Sequence, residues 1–288
     1  MEELHAGAVR TLYVEREVSF GYFLKSDNEE VLLHEYEIED NIVEGDFVTV
    51  FLYHDKKGRL AATMTIPDVT FDTYQWLPVV TVKRKLGVFI DIGINKDILL
   101  SLDDLPDHNS MWPNVEDELY CALKLDKKGR LLAKLADEQE IATLAKDATS
   151  EMFNQDITAT IYRMIPSGSF FITKDGIKGF IHHSERKQEP HLGEKVMGRI
   201  IEVKDDGTVN VSLLPRKQES IDTDAELIFS YLVNHGGSMP YGDRTSPDDI
   251  KAIFNMNKAP FKRALGRLMK EKKVYQQDGW TYVAGEKI

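Results

Sequence analysis

The sequence predicts a multidomain, mainly β chain: three five-stranded barrels in tandem and, after them, a small α+β domain. Three observations lead there. A pattern of glycine, one variable residue, an aromatic and a further apolar residue occurs three times, at Gly21-Tyr22-Phe23-Leu24, Gly87-Val88-Phe89-Ile90 and Gly168-Ser169-Phe170-Phe171. Each copy sits in a stretch of period-two alternation that closes on a charged glycine turn. Beyond Pro215 the hydrophobic period changes from that of strands to that of helices. At 288 residues the chain also exceeds the length over which one core usually keeps growing, so several domains are expected.

The first unit, residues 1–67, opens on the alternating run Ala8-Val9-Arg10-Thr11-Leu12, bends at Gly21, continues into Val31-Leu32-Leu33 and closes on the turn Asp55-Lys56-Lys57-Gly58-Arg59. The second, residues 68–136, repeats this with Val79-Val80-Thr81-Val82, Gly87, Ile98-Leu99-Leu100 and Asp126-Lys127-Lys128-Gly129-Arg130. Over residues 137–153 the strand period stops, and Glu138, Glu140, Ile141, Leu144 and Ala145 fall at helical spacing, so a linker helix is expected. The third unit, residues 154–215, has Ile157-Thr158-Ala159-Thr160-Ile161, Gly168, Phe180-Ile181-His182 and Lys204-Asp205-Asp206-Gly207-Thr208. In each turn the glycine supplies the positive φ of a hairpin. Five short strands in about 60 residues, with glycine at a bend, is the pattern of a Greek-key barrel such as the OB-fold.

Residues 216–288 read as a winged helix. Ala225, Leu227, Ile228, Tyr231 and Leu232 form an amphipathic helix opened by Asp222 or Asp224 and ended by Gly236-Gly237. Ser246-Pro247-Asp248-Asp249 reads as an N-cap, a proline suited to the first turn and acids favoured by the helix dipole. The third helix, Lys258 to Lys272, places Phe261, Leu265, Leu268 and Met269 on one face and Arg263, Arg267 and Lys270 on the other. Residues 258–273 hold seven basic side chains and one acid, Glu271. A hairpin with an Asp278-Gly279 turn follows and carries Trp280 and Tyr282.

The net charge of −12 argues against a protein that coats nucleic acid indiscriminately, since phosphate neutralisation supplies most of that affinity. The average hides a gradient: −9 over residues 1–68, −5 over 69–154, neutrality over 155–215 and +2 over 216–288. A polyanion is therefore expected at the C-terminal half. The single cysteine, Cys121, lies in an alternating strand and reads as core. Met1-Glu2-Glu3-Leu4-His5 shows no leader pattern and no run is apolar enough to span a bilayer, so a cytoplasmic protein without membrane contact is expected. No glycine loop for nucleotides, paired acid cluster or activated nucleophile is recognisable, so neither catalysis nor a cofactor is expected. His182 and His183, adjacent on a strand, should face opposite ways and so make no metal pair.

The run Gly168-Ser169-Phe170-Phe171, Gly179-Phe180-Ile181-His182-His183-Ser184-Glu185, Leu192-Gly193-Glu194-Lys195-Val196 and Val209-Asn210-Val211-Ser212-Leu213 resembles the S-one RNA-binding domain, an OB-fold. The likeness is strong in the third unit and degenerate in the first two. Three such units followed by a winged helix, with Phe261-Lys262-Arg263-Ala264-Leu265-Gly266 and the Asp278-Gly279 turn, resemble the conserved virulence factor B family of bacterial RNA-binding regulators over nearly the whole chain. The resemblance implies an RNA face made of two aromatics flanking the glycine, a histidine on the third strand, and an aspartate and arginine around the last turn. Carried over, this assigns Phe20, Phe23, Asp55 and Arg59 in the first unit, with Leu33 at the histidine position. It assigns Phe89, Asp126 and Arg130 in the second, where Leu86 and Leu100 depart from the pattern. The third retains Phe170 and His182 but has Ser167, Lys204 and Thr208 at the remaining positions.

Elementary physics is consistent with that assignment, because unstacked bases of single-stranded RNA gain about 1–3 kcal/mol each on an aromatic ring whatever their sequence. Each phenylalanine taken singly is nonetheless more often core than contact, and each Asp-x-x-Gly-Arg turn is as readily structural. The expected partner is single-stranded RNA, held by the third unit and by Lys262, Arg263, Arg267, Lys270 and Trp280 of the winged helix. Duplex DNA in a transcription regulator, or proteins of translation or RNA decay docking on the acidic residues 1–154, are the alternatives. No dimerisation segment is evident, and a monomer is expected.

Overall fold

The computed structural model describes residues 4–27 and 29–285, with residues 217–220 described by their backbone alone. Met1-Glu2-Glu3, read above for a leader pattern, lie outside the described residues. The chain divides into two compact units, Met1–Leu213 and Leu214–Ile288.

The first unit holds three closed barrels of five strands. Strands β1 (Val9–Val18), β2 (Gly21–Ser26), β3 (Glu29–His34), β4 (Phe47–His54) and β5 (Leu60–Thr63) close in the order β1-β2-β3-β5-β4. The same cyclic order recurs in β6 (Gln75–Lys83), β7 (Gly87–Ile90), β8 (Ile98–Ser101), β9 (Glu118–Leu125) and β10 (Leu131–Leu135). After a short helix α1 (Glu138–Ala142) it recurs in β11 (Asp156–Ile165), β12 (Gly168–Thr173), β13 (Lys178–His182), β14 (Lys195–Val203) and β15 (Val209–Ser212). In each barrel the third and fifth strands pair in parallel and the other pairs are antiparallel.

The repeat extends to its irregularities. The first strand of every barrel slips register by one residue against the second, at Glu15, Val80 and Tyr162. Such a bulge bends the strand and re-aims the side chains beside it. The glycine after each bend is sterically obligatory: a Cβ on Gly21 (φ +141°) would stand 2.2 Å from the Leu33 carbonyl oxygen, and one on Gly87 (φ +134°) 2.0 Å from that of Leu100. Val14, Leu24, Leu33, Val50 and Leu52 fill the first barrel, Ile90, Leu100, Cys121 and Leu123 the second, and Ile161, Phe171, Ile181 and Ile200 the third. Cys121 is fully enclosed and burial pushes its thiol up, which leaves it a packing role.

The second half of strand β4 is buried on both faces, which explains the unbroken apolar run Val50-Phe51-Leu52-Tyr53. Val50 and Leu52 face the first barrel's interior, whereas Phe51 and Tyr53 join Val69 in the cluster that contains Val88, Leu100 and Leu123 of the second. Between the second and third barrels, Leu192 N–H donates to the Met111 carbonyl (3.0 Å) and His191 lies between Asp117 (2.7 Å) and Glu194 (2.9 Å).

The linker departs from expectation. The helix is confined to Glu138–Ala142, capped by Asp137 and Glu140 in a reciprocal box. It stops because the following backbone is claimed by the third barrel: Lys146 N–H donates to Gly176 O (2.9 Å) and Ala148 N–H to Gly207 O (2.9 Å).

The second unit contains α2 (Lys217–Asn234), β16 (Ser238–Met239), α3 (Pro247–Phe254), α4 (Lys258–Lys270), β17 (Val274–Gln277) and β18 (Trp280–Val283), with sheet order β16-β18-β17. This is a winged helix, with Ser246 capping α3 as expected. Helix α2 begins before the Asp222 or Asp224 cap read from the sequence, and the two-residue strand β16 was not anticipated. Ile228, Leu232, Ile250, Phe261 and Leu265 form its core.

Candidate nucleic-acid interface

Strand register identifies which residues are equivalent on the three barrel faces. Gly168 pairs with His182, and correspondingly Gly21 pairs with His34 and Gly87 with Ser101. The sequence reading put Leu33 and Leu100 at these positions, one residue too early. Both leucines are fully buried and point into their barrels. In sequence the apolar triplet Val31-Leu32-Leu33 looks equivalent to Phe180-Ile181-His182, but Leu33 corresponds to the buried Ile181, and the next residue turns outward on the pleat.

The first barrel therefore has an aromatic or histidine at all three ring positions that the resemblance implies, Phe20, Phe23 and His34. Phe20 is 43% exposed, its ring 6.3 Å from that of His34, which in turn stacks on the 79% exposed Tyr36 at 5.1 Å and 20°. Half-buried Phe23 lies under the Arg16 guanidinium (4.2 Å), itself held by two 2.8 Å bonds to Glu30. None of the assigned phenylalanines Phe20, Phe23, Phe89 or Phe170 belongs to its barrel's interior.

Beside this aromatic row runs a groove of about 590 Å³ lined by His34, Tyr36 and the cations Lys56, Lys57, Arg59 and Lys96. A second groove of about 480 Å³ on the second barrel includes Phe89, Lys128 and Arg130 and shares Lys56 and Lys96 with the first. Lys96 is contributed by the second barrel. Its ammonium donates to the carbonyls of His54 and, at 3.2 Å, Asp55, and burial pushes its pKa down. Burial, aided by Lys96, likewise lowers the pKa of His54.

The assigned aspartates and arginines are paired with each other. Asp55 Oδ1 accepts the N–H groups of Lys57 (2.8 Å) and Arg59 (2.9 Å), while Oδ2 accepts Arg59 Nε (2.9 Å) and Nη2 (2.7 Å). Asp126 does the same with Lys128 (2.8 Å) and Arg130 (2.9 and 2.7 Å). The Arg130 backbone N–H above all holds Asp126 below the usual carboxylate range. Both carboxylates thus build the turn, and the guanidiniums remain largely exposed beside the grooves.

The second barrel is the sparsest face: Phe89 lies under Lys83 (5.0 Å), with exposed Leu86 and Ser101 at the other two positions. On the third, Phe170 packs against Phe180 (5.0 Å) and beneath Arg163 (5.4 Å). His182 and His183 do not face opposite ways as expected; their rings are 4.2 Å apart, because the strand ends at His182 and a 3-10 turn begins. Among the described residues no group of three or more His, Cys, Asp or Glu is placed to hold a metal ion. Glu138 of α1 collects Arg163 (3.7 Å), Lys178 and the Tyr162 hydroxyl (3.0 Å) next to Phe170. At the last turn Asp206 bonds Thr208, leaving Lys204 without the aspartate role.

In the winged helix, Lys262, Arg263 and Lys270 are exposed on α4, and a Cβ on Gly266 would meet nothing within 4 Å. Arg267 is instead tied to Glu271 (2.6 Å) and Asp222 (3.4 Å). The wing carries a row of rings, Trp280 on Tyr282 (6.4 Å) and Tyr282 on Tyr275 (5.2 Å), with Trp280 42% exposed. The sequence reading missed His34, Tyr36, Lys96 and Phe180 as surface groups. The first two had a signal, a histidine and a tyrosine two residues apart where the third strand ends.

Comparison with known proteins matches this layout segment by segment. Residues 6–65 match the S1 domain, 74–134 the CvfB first S1-like domain, 141–215 the second domain of virulence regulatory factor CvfB, and 226–283 the CvfB-like winged helix domain. The chain is 39% identical over 262 residues to conserved virulence factor B of Staphylococcus haemolyticus, covering 90% of this chain and 87% of that one. The chain belongs to the conserved virulence factor B family. YitL of Bacillus subtilis is 50% identical to the chain over 281 residues, covering 98% of this chain and 94% of its own. A crystal structure of a multidomain protein with nucleic acid binding domains from Streptococcus pneumoniae superposes with a TM-score of 0.66 at 38% identity, covering 96% and 98% of the two chains. The second-domain match takes in residues 141–153, the linker segment whose backbone bonds to the third barrel. No helix among the described residues is long and apolar enough to cross a membrane.

Proposed function

We propose that this member of the conserved virulence factor B family is a non-catalytic, cytoplasmic regulator that binds single-stranded RNA and acts on transcripts after their synthesis. The observation that carries the reading is the register of His34. With it, the first barrel displays Phe20, Phe23 and His34 together beside a groove rich in lysine and arginine, which is what unstacked bases and their phosphates require. The first barrel joins the third barrel and the winged helix as a binding element, in place of the docking role suggested by its acidity. Phe170 with Phe180 and His182, and Trp280 with Tyr282 and Tyr275, offer further ring surfaces. Weak sites on one chain gain affinity through effective concentration. The names of the staphylococcal relatives and the family description, virulence regulatory factor, support regulation of virulence as the physiological output.

Fluorescence anisotropy of labelled 12-nucleotide RNA and of duplex DNA of equal length, titrated with the full monomeric chain across a salt series, tests this. Preference for RNA, with affinity falling as salt rises, is the expected result. A preference for the duplex would transfer the function to the exposed cations of α4, and binding of neither would sink a nucleic-acid role.

A further inference from the structure

Glu37 is the only charged residue buried among the described residues, at 6% exposure. It ends the 3-10 turn after β3 and contributes to the groove of the first barrel, next in sequence to Tyr36. Its Oε1 accepts two bonds, from the Tyr53 hydroxyl (2.9 Å) and from Asn95 Nδ2 of the second barrel (3.1 Å). Its Oε2 is buried and has no hydrogen-bond partner among the described residues. An orphaned acceptor on a carboxylate is destabilising, and a native chain that retains one at the edge of a groove invites a functional explanation.

Chemistry nearby indicates what would satisfy it. The His34–Tyr36 stack offers a platform for a base, and Lys56, Lys57, Arg59 and Lys96 suit the phosphates on either side. A base stacked there would present its Watson–Crick edge to the lining of the same groove, of which Glu37 is part. Cytosine presents the N4 amino group as a donor there, whereas uracil presents the O4 carbonyl, which a carboxylate oxygen repels. We infer that Glu37 is a base-reading residue that makes the groove at the junction of the first two barrels select cytosine over uracil. Tyr53 and Asn95 position it, so the second barrel takes part in the selection without contacting the base. This inference rests on the single-stranded RNA reading.

The test is anisotropy titration of the full chain with labelled C12 and U12 RNA, and with a 12-mer in which pyrimidin-2-one, which lacks the amine, replaces cytosine. The wild-type chain should bind C12 about tenfold more tightly than U12, as one hydrogen bond to a charged group allows. Pyrimidin-2-one should lose that advantage without any change to the protein. Glu37→Gln keeps an acceptor for Tyr53 but adds an amide donor that uracil O4 accepts, so it should bring the C12 to U12 ratio to about one. Equal wild-type affinity for C12 and U12, or a Glu37→Gln chain that weakens on both while keeping their ratio, overturns the inference and leaves RNA binding intact. Failure to bind any of the three oligomers overturns both.

Discussion

The first and third barrels share topology, bulge position and the glycine bend, yet they divide the features of a binding face in opposite ways. The third has the clearer sequence motif and balanced charge; the first lies in a segment of −9 and has the fuller set of rings. Some acids of the first segment are engaged away from the groove, Glu15 by Lys25 and Glu30 by Arg16, whereas Lys56, Lys57, Arg59 and Lys96 converge on it against Glu37 and Asp55. In the third barrel the reverse occurs, because Glu138 neutralises Arg163 and Lys178 beside Phe170. Segment charge therefore measures long-range attraction and not the potential at one face. The gradient that pointed a polyanion toward the C-terminal half says little about which face carries exposed rings beside cations.

Substitutions can break or sharpen this contrast. The largest effect is expected from Gly21→Ala, whose Cβ collides with the Leu33 backbone: it should cost about 3 kcal/mol in urea unfolding and remove the first face altogether. Next, Phe20→Ala with His34→Ala should weaken RNA binding about 30-fold by loss of stacking, and Phe170→Ala with His182→Ala only about threefold. Anisotropy titrations showing the opposite order would restore the third barrel as the principal face. Glu138→Gln should strengthen binding about threefold and steepen its salt dependence, since Arg163 and Lys178 become available to phosphate. The smallest effect concerns the shared turn. Asp126 has its pKa depressed by folding, so the stability it confers is present above the usual aspartate range and is lost as pH falls through the folded value. A melting-temperature difference between wild type and Asp126→Asn should exist at neutral pH and vanish in acid.

Much of the architecture was legible because it repeats. Three glycine bends and three charged turns set the barrels, and Ser246-Pro247 with Asp278-Gly279 punctuated the winged helix. The helix after Asp137 was legible in its spacing, but its length was not, since its end depends on carbonyls at Gly176 and Gly207 supplied from far along the chain. The His34 register was hidden by different turn lengths between the second and third strands, which a linear alignment absorbs in the wrong place. Lys96 had no signal at all: a lone lysine in a loop becomes part of a groove only when the second barrel packs on the first. Arg267 sat on the expected face of its helix, but its pairing with Asp222 required knowing that α2 lies alongside.

The position of Phe51 and Tyr53 also governs how the molecule comes apart. Because they leave the first barrel to complete the cluster of the second, opening either barrel exposes apolar surface of both. Amide protons of β4 and of β9 should then exchange with deuterium at a common rate, as one cooperative folding unit, and a protease cut near Pro67 would release no independently stable fragment.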